Sequence, residues 1–195
     1  MNGSLVSARI ISRFLKKETR LLSNLRHQRR LLGGLILLFL VGVLSACYPK
    51  YNWRELPVVD GLAVAAFPAR VDTAQREIML NDMKLTFELT SATIDKTVFS
   101  VGYSQLPTES TPSQRQEAQR AMITSLASAM GQPVPVEAFA GEAFVLASPN
   151  AQTPLVMHAR VVLYYDVVIR QIAAGPIGEL TPEIAQEFMR SFKIR

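Results

Sequence analysis

Cysteine occurs once in the 195 residues, at Cys47. A single thiol excludes an internal disulfide framework and a thiolate-rich metal site. Histidine is nearly as scarce. Of the two, His27 and His158, only His158 lies beyond residue 46, and one histidine cannot supply the several ligands a zinc site takes. No D-x-D-x-D-G run marks a calcium loop. Neither G-x-G-x-x-G nor G-x-x-x-x-G-K-[ST] is present to cradle phosphates. Asp72, Asp82 and Asp95 stand near turns and read as turn residues. No metal or cofactor is therefore expected. A long membrane-spanning run is missing too. The most apolar segment, LLGGLILLFLVGV at 31–43, has 13 residues, or 16 if carried to Ala46. A transmembrane helix needs about 20.

Negative charge is scarce in the first part of the chain. Residues 1–46 carry Arg9, Arg13, Lys16, Lys17, Arg20, Arg26, Arg29 and Arg30 against Glu18 alone, a net +7. The remaining 149 residues hold 13 basic and 15 acidic side chains, a net −2, so the chain's positive balance comes from its first 46 residues. No basic surface is left for nucleic acid. A basic n-region (1–30), a short apolar h-region (31–43) and then small residues is the layout of a secretory signal. Thirty residues before the apolar run is long for one; either the n-region is extended or translation starts downstream.

The run ends in Leu44-Ser45-Ala46-Cys47. This resembles a bacterial lipobox: a branched apolar residue, two small residues, then cysteine. The resemblance implies a diacylglycerol on the Cys47 thiol, cleavage before Cys47, and an acyl chain such as palmitate on the new amino group. Several acyl chains, at about 0.8 kcal/mol per buried CH₂, hold a protein stably on a bilayer. Tyr48 is not the aspartate associated with inner-membrane retention, so the resemblance favours the outer membrane, with the domain in the periplasm. The competing reading is a signal-anchored inner-membrane protein that keeps residues 1–46.

Residues 47–60 read as a lipidated tether, with Tyr51 and Trp53 expected to dock on the domain, and 61–195 as a single α/β domain. Residues 62–67 form a short apolar strand ended by Pro68. Leu85, Phe87 and Leu89 alternate with Lys84, Thr86 and Glu88, the period of a half-buried strand. Residues 98–106 alternate again, and the polar stretch 91–96 is expected as their hairpin loop. Thr111 then Pro112 opens a helix whose Ala118, Met122, Leu126 and Met130 form an apolar stripe. Gly131 and Pro133 stop it. Residues 136–147 read as a strand bent at Gly141. The β-rich stretch 155–175 would span about 70 Å as one strand at ~3.3 Å per residue, so it must fold back, with Tyr164-Tyr165-Asp166 as the turn. Thr181-Pro182 opens a last helix with Ile184, Phe188 and Phe192 at spacing four.

This order predicts an α+β domain: an antiparallel sheet flanked by helices. Two stretches, GEAFVLA at 141–147 and RVVLYYDVVIRQIAAGPIGELTPEIAQEFMRSFKIR at 160–195 with its F-x-x-S-F ending, resemble the Mog1/PsbP-like fold. The resemblance implies binding or assembly roles more often than catalysis.

For chemistry, His158 sits mid-strand on the side of Val156 and Arg160 and reads as a solvated or edge-packed strand histidine before a general base. Arg160 and Arg170 flank the expected hairpin turn. On one sheet face they would make a cationic spot for a carboxylate or lipid headgroup; the plainer expectation pairs them with Glu142 or Asp166. The expectation is a non-enzymatic, lipid-anchored binding or envelope-assembly module whose partners are the bilayer, through Cys47, and an envelope protein. The alternative is a ligand-binding or enzymatic domain using His158, Arg160 and Arg170.

Overall fold

A computed structural model describes residues 50–80, 83–148 and 152–195. The signal segment, the lipobox and Cys47 lie outside the described residues. So does Asp82.

The alternation at residues 84–89 sets up the main sheet. It belongs to β4 (Met83–Ile94), flanked by β3 (Asp72–Leu80) and β5 (Thr97–Gln105). The hairpin β7 (Leu155–Tyr164) and β8 (Val167–Pro176) joins β5 through β8, and β6 (Phe144–Ser148) closes the far edge. The spatial order is β3-β4-β5-β8-β7-β6, antiparallel throughout. The fold-back of residues 155–175 falls where expected: Tyr164 pairs with Val167, leaving Tyr165-Asp166 as a two-residue loop. Tyr165 takes φ 52 there without a glycine, and the Tyr164 ring meets it edge-on at 4.7 Å. Asp95 does the same at φ 53 in the β4–β5 turn, a conformation that aspartate tolerates.

Both faces of this sheet are covered, which is why β8 (VVIRQIAAGP) is apolar almost throughout. On one face lies α1 (Pro112–Ala129), with Ala118, Met122, Ile123 and Leu126 packed on Leu85, Phe87, Leu146, Val161 and Val168. Thr111 Oγ1 accepts from the Gln114 amide at 3.3 Å, and Gln114 Oε1 accepts from the Thr111 amide at 2.8 Å. This capping box satisfies two amides that the helix itself cannot. Thr111→Ala should therefore cost about 1 kcal/mol in urea denaturation, with Thr111→Asn close to neutral.

On the other face lie α2 (Pro182–Ser191) and a second, three-stranded antiparallel sheet in the order β1-β2-β9: β1 (Arg54–Val58), β2 (Ala63–Phe67) and β9 (Lys193–Ile194). Phe67, Phe99 and Phe188 centre this core. The unit is thus α+β, with two antiparallel sheets where one was expected.

Three boundaries differ from expectation. The stretch expected as a tether already carries β1, and the compact unit begins at Tyr51, with Tyr51 stacked on Trp53 and Trp53 edge-on to Phe99 at 5.9 Å. β4 runs on to Ile94, so the loop expected at 91–96 shrinks to Asp95-Lys96. The strand expected at 136–147 is instead a 3₁₀ turn, Val136–Ala140, followed by the short β6. Pro135 starts that turn and Gly141 ends it at φ 76, a left-handed conformation that breaks a strand.

Candidate functional site

The register of β7 on β8 decides what the three sequence candidates can do together. Residues directly opposite in an antiparallel pair point to the same face. Arg160 pairs with Gln171, and His158 with Ala173; both are on the face covered by α2. Arg170 pairs with Val161, on the face covered by α1. The expected cluster therefore does not form. Flanking the turn at even spacing looked like a shared face, but the two-residue loop shifts the parity between the strands. Nor does the expected pairing with Glu142 or Asp166 occur: among the described residues neither arginine makes an ion pair, and the Nε of each is buried without a hydrogen-bond partner. His158 is half-buried, and burial lowers its pKa.

Arg170 has other company. Its guanidinium lies over the Phe87 ring at 4.6 Å, and Arg76 of β3 reaches the same ring at 5.6 Å. Phe87 (1 % exposed) reaches Arg170 across β5 because residue 102 is glycine: a Cβ there would stand 2.2 Å from Phe87 Cζ. Arg76 lies opposite Phe87 in the β3–β4 register, so it joins the α1 face of the sheet. A cavity of about 310 Å³ opens beside this row, lined by Arg76, Ile78, Met79, Leu80, Phe87, Ala121, Met122, Ser125 and Arg170. Burial, then the charge of Arg76, lowers the Arg170 pKa to about 10, still well above neutral pH. The site is thus two cations on an aromatic ring within apolar walls. Its chemistry is that of holding an anion, since arginine at this pKa neither gives nor takes a proton near neutrality.

Sequence reading missed Arg76, Phe87 and Gly102 as a group. The inward alternation of β4 marked Phe87, but β3 shows no period, so Arg76 had no face.

A second cavity, of about 450 Å³, is lined in part by Val59, Asp60, Gly61, Gln75, Glu88 and Tyr103. Val59, Asp60 and Gly61 stand at φ 55, 51 and 83, and a β-branched residue at positive φ is strained. Burial first, then the Asp60 and Glu88 carboxylates, hold the Tyr103 pKa well above its usual range. Gln75 Nε2 donates to Glu88 Oε1 at 3.4 Å. Two carboxylates and a neutral phenol fall short of a metal set, and no cluster of three or more such ligands occurs among the described residues.

Set beside known proteins, the chain matches no protein-family model, no curated protein and no solved structure.

Proposed function

We propose that the chain is an exported lipoprotein, anchored in the bacterial envelope through acyl chains on Cys47, with the Tyr51–Arg195 unit as a non-enzymatic binding module in the periplasm. The observation that carries this reading is Leu44-Ser45-Ala46-Cys47 at the end of an apolar run preceded by eight basic side chains. Two further features support it. The compact unit begins four residues after Cys47, so the fold starts almost at the anchor in sequence. Its closing order of hairpin β7–β8, loop and α2 is the order that a Mog1/PsbP-like resemblance implies. The outer membrane is the favoured destination because Tyr48 follows the cysteine.

A site built from His158, Arg160 and Arg170 together is not retained, because Arg170 faces the opposite side of the sheet from the other two.

The test is the intact mass of the membrane-extracted protein beside Cys47→Ala. The wild type is expected to start at residue 47 with added acyl mass, and the variant to keep residues 1–46. A wild type that keeps residues 1–46 without lipid would make the chain a signal-anchored inner-membrane protein and sink the reading.

A further inference from the structure

We propose that the cavity between α1 and strands β3, β4 and β8 binds an anionic amphiphile: a phosphate or carboxylate head on Arg170 and Arg76, with its apolar chain against Ile78, Leu80 and Met122. This goes beyond the anchor at Cys47 and does not depend on it.

The head-group half rests on an imbalance of charge. Two guanidiniums share one aromatic ring, at 4.6 and 5.6 Å, and neither has a carboxylate partner among the described residues. The Arg170 Nε–H is buried and donates to nothing. A buried donor with no acceptor is costly, and a charged one more so. Contact with the Phe87 face offsets part of that cost but supplies no acceptor. An oxyanion would supply acceptors for both arginines at once, and a planar guanidinium is suited to carboxylate or phosphate oxygens.

The arginine is also held in place. Phe87 lies close over the Gly102 backbone and is buried in the core under α1, so the ring that carries Arg170 has little freedom. A fixed donor loses less entropy on binding than a free surface arginine.

The chain half rests on the rest of the lining. Ile78, Leu80 and Met122 are apolar, and Leu80 and Met122 are buried in the core that α1 covers. Methionine adapts its shape to a flexible partner. The volume, about 310 Å³, is at the small end of the roughly 300–1,000 Å³ of small-molecule sites, enough for a head group and a short length of chain.

The test uses the full chain in nanodiscs of zwitterionic lipid, and reads the melting temperature with decyl phosphate, decanol and inorganic phosphate. Decyl phosphate at about 100 times its Kd should raise Tm by roughly 5 °C or more. Decanol and inorganic phosphate should each give much less at matched concentration. Arg170→Met keeps an apolar stem on the Phe87 ring, so it should fold with an unliganded Tm no lower than the wild type and lose the rise. The exposed Arg76→Gln should fold normally and bind at least tenfold more weakly, while Lys84→Met, on the opposite face, should respond like the wild type. A rise in discs of anionic phospholipid without added probe would make the bilayer the source; a rise with the probe alone would make it a free amphiphile. The proposal is overturned if decyl phosphate leaves Tm unmoved, if inorganic phosphate or decanol moves it equally, or if Arg170→Met keeps the rise. Because every arm is read on the folded domain, a failed Cys47 reading would leave these outcomes unchanged.

Discussion

Gly102→Ala is expected to destabilise the domain by roughly 3 kcal/mol, the upper part of the range for forcing extra volume into a packed core. The reason is space, not backbone freedom: Gly102 is not among the glycines at positive φ. An added Cβ would lie 2.2 Å from Phe87 Cζ and 2.8 Å from Cε1, with the Glu88 carbonyl at 3.1 Å. Phe87 cannot swing clear, since its ring is buried under α1 with Arg170 over its face. The collision should be specific to that ring. Phe87→Leu alone will cost stability through lost volume, but in the double variant the two losses should not add, with a coupling of more than about 1 kcal/mol. Urea denaturation of the four proteins closes the cycle. A Gly102→Ala variant within about 0.5 kcal/mol of wild type, the range of an ordinary surface change, would show that the Phe87 ring does not cross β5 as described. The variant should also bind decyl phosphate poorly even where it remains folded, because a displaced ring no longer carries Arg170.

That dependence of Phe87 and Arg170 on the glycine of the strand between them was not legible in the sequence, and the reason is general. Periodicity reports which face a residue takes within one strand; register between strands decides which residues meet. Residues 84–89 and the Ala118-Met122-Leu126-Met130 stripe were read correctly because each contrasts apolar with polar along a single element. Thr111-Pro112 and Thr181-Pro182 were read correctly because a cap is a local signal, and both threonine hydroxyls do accept from the amide three residues on. β3 was invisible for the opposite reason. As an edge strand it is exposed from Asp72 to Glu77, so no alternation marks it, and Arg76 hides among polar neighbours. β9 is two residues long and has no pattern to show. The stretch before β6 misled because VEAFAGEAFVLA carries strand-like residues, while Pro135 and Gly141 decide its backbone. The pairing of Arg160 with Arg170 failed on parity: a two-residue loop places residues 160 and 171, not 160 and 170, face to face.

Phe188→Ala should bring the largest loss of all, about 4 kcal/mol, within the usual cost of truncating a buried phenylalanine. Phe188 is fully buried and its ring touches aromatic rings of both sheets. Its ring meets Phe67 of the small sheet at 5.6 Å and Phe99 of the large sheet at 5.4 Å, the latter edge-on. Phe99 in turn meets Trp53, which stacks on Tyr51. Such pairs add to plain burial, so truncation removes the transfer energy, opens a cavity and leaves Phe99 without its edge partner. The backbone of α2 should stay placed in the variant. Gln171 Nε2 and Ser191 Oγ both donate to the Phe188 carbonyl, at 2.8 and 2.7 Å, and Ser191 Oγ also accepts from the Ala66 amide at 3.0 Å. None of these bonds needs the ring. The loss should therefore appear as a lower urea midpoint with the helical signal retained. Phe188→Leu, which fills part of the space, should lose less than half as much. The chain's single tryptophan supplies an independent readout, because Trp53 lies one ring away from Phe188 through Phe99. Its emission should shift in Phe188→Ala before any unfolding, as Phe99 relaxes into the vacated volume. An unchanged midpoint together with unchanged Trp53 emission would mean that the aromatic row does not join the segment before β1 to the last helix. The docking of α2 would then have to rest on Ile184, Ala185, Met189, Phe192 and the carbonyl bonds.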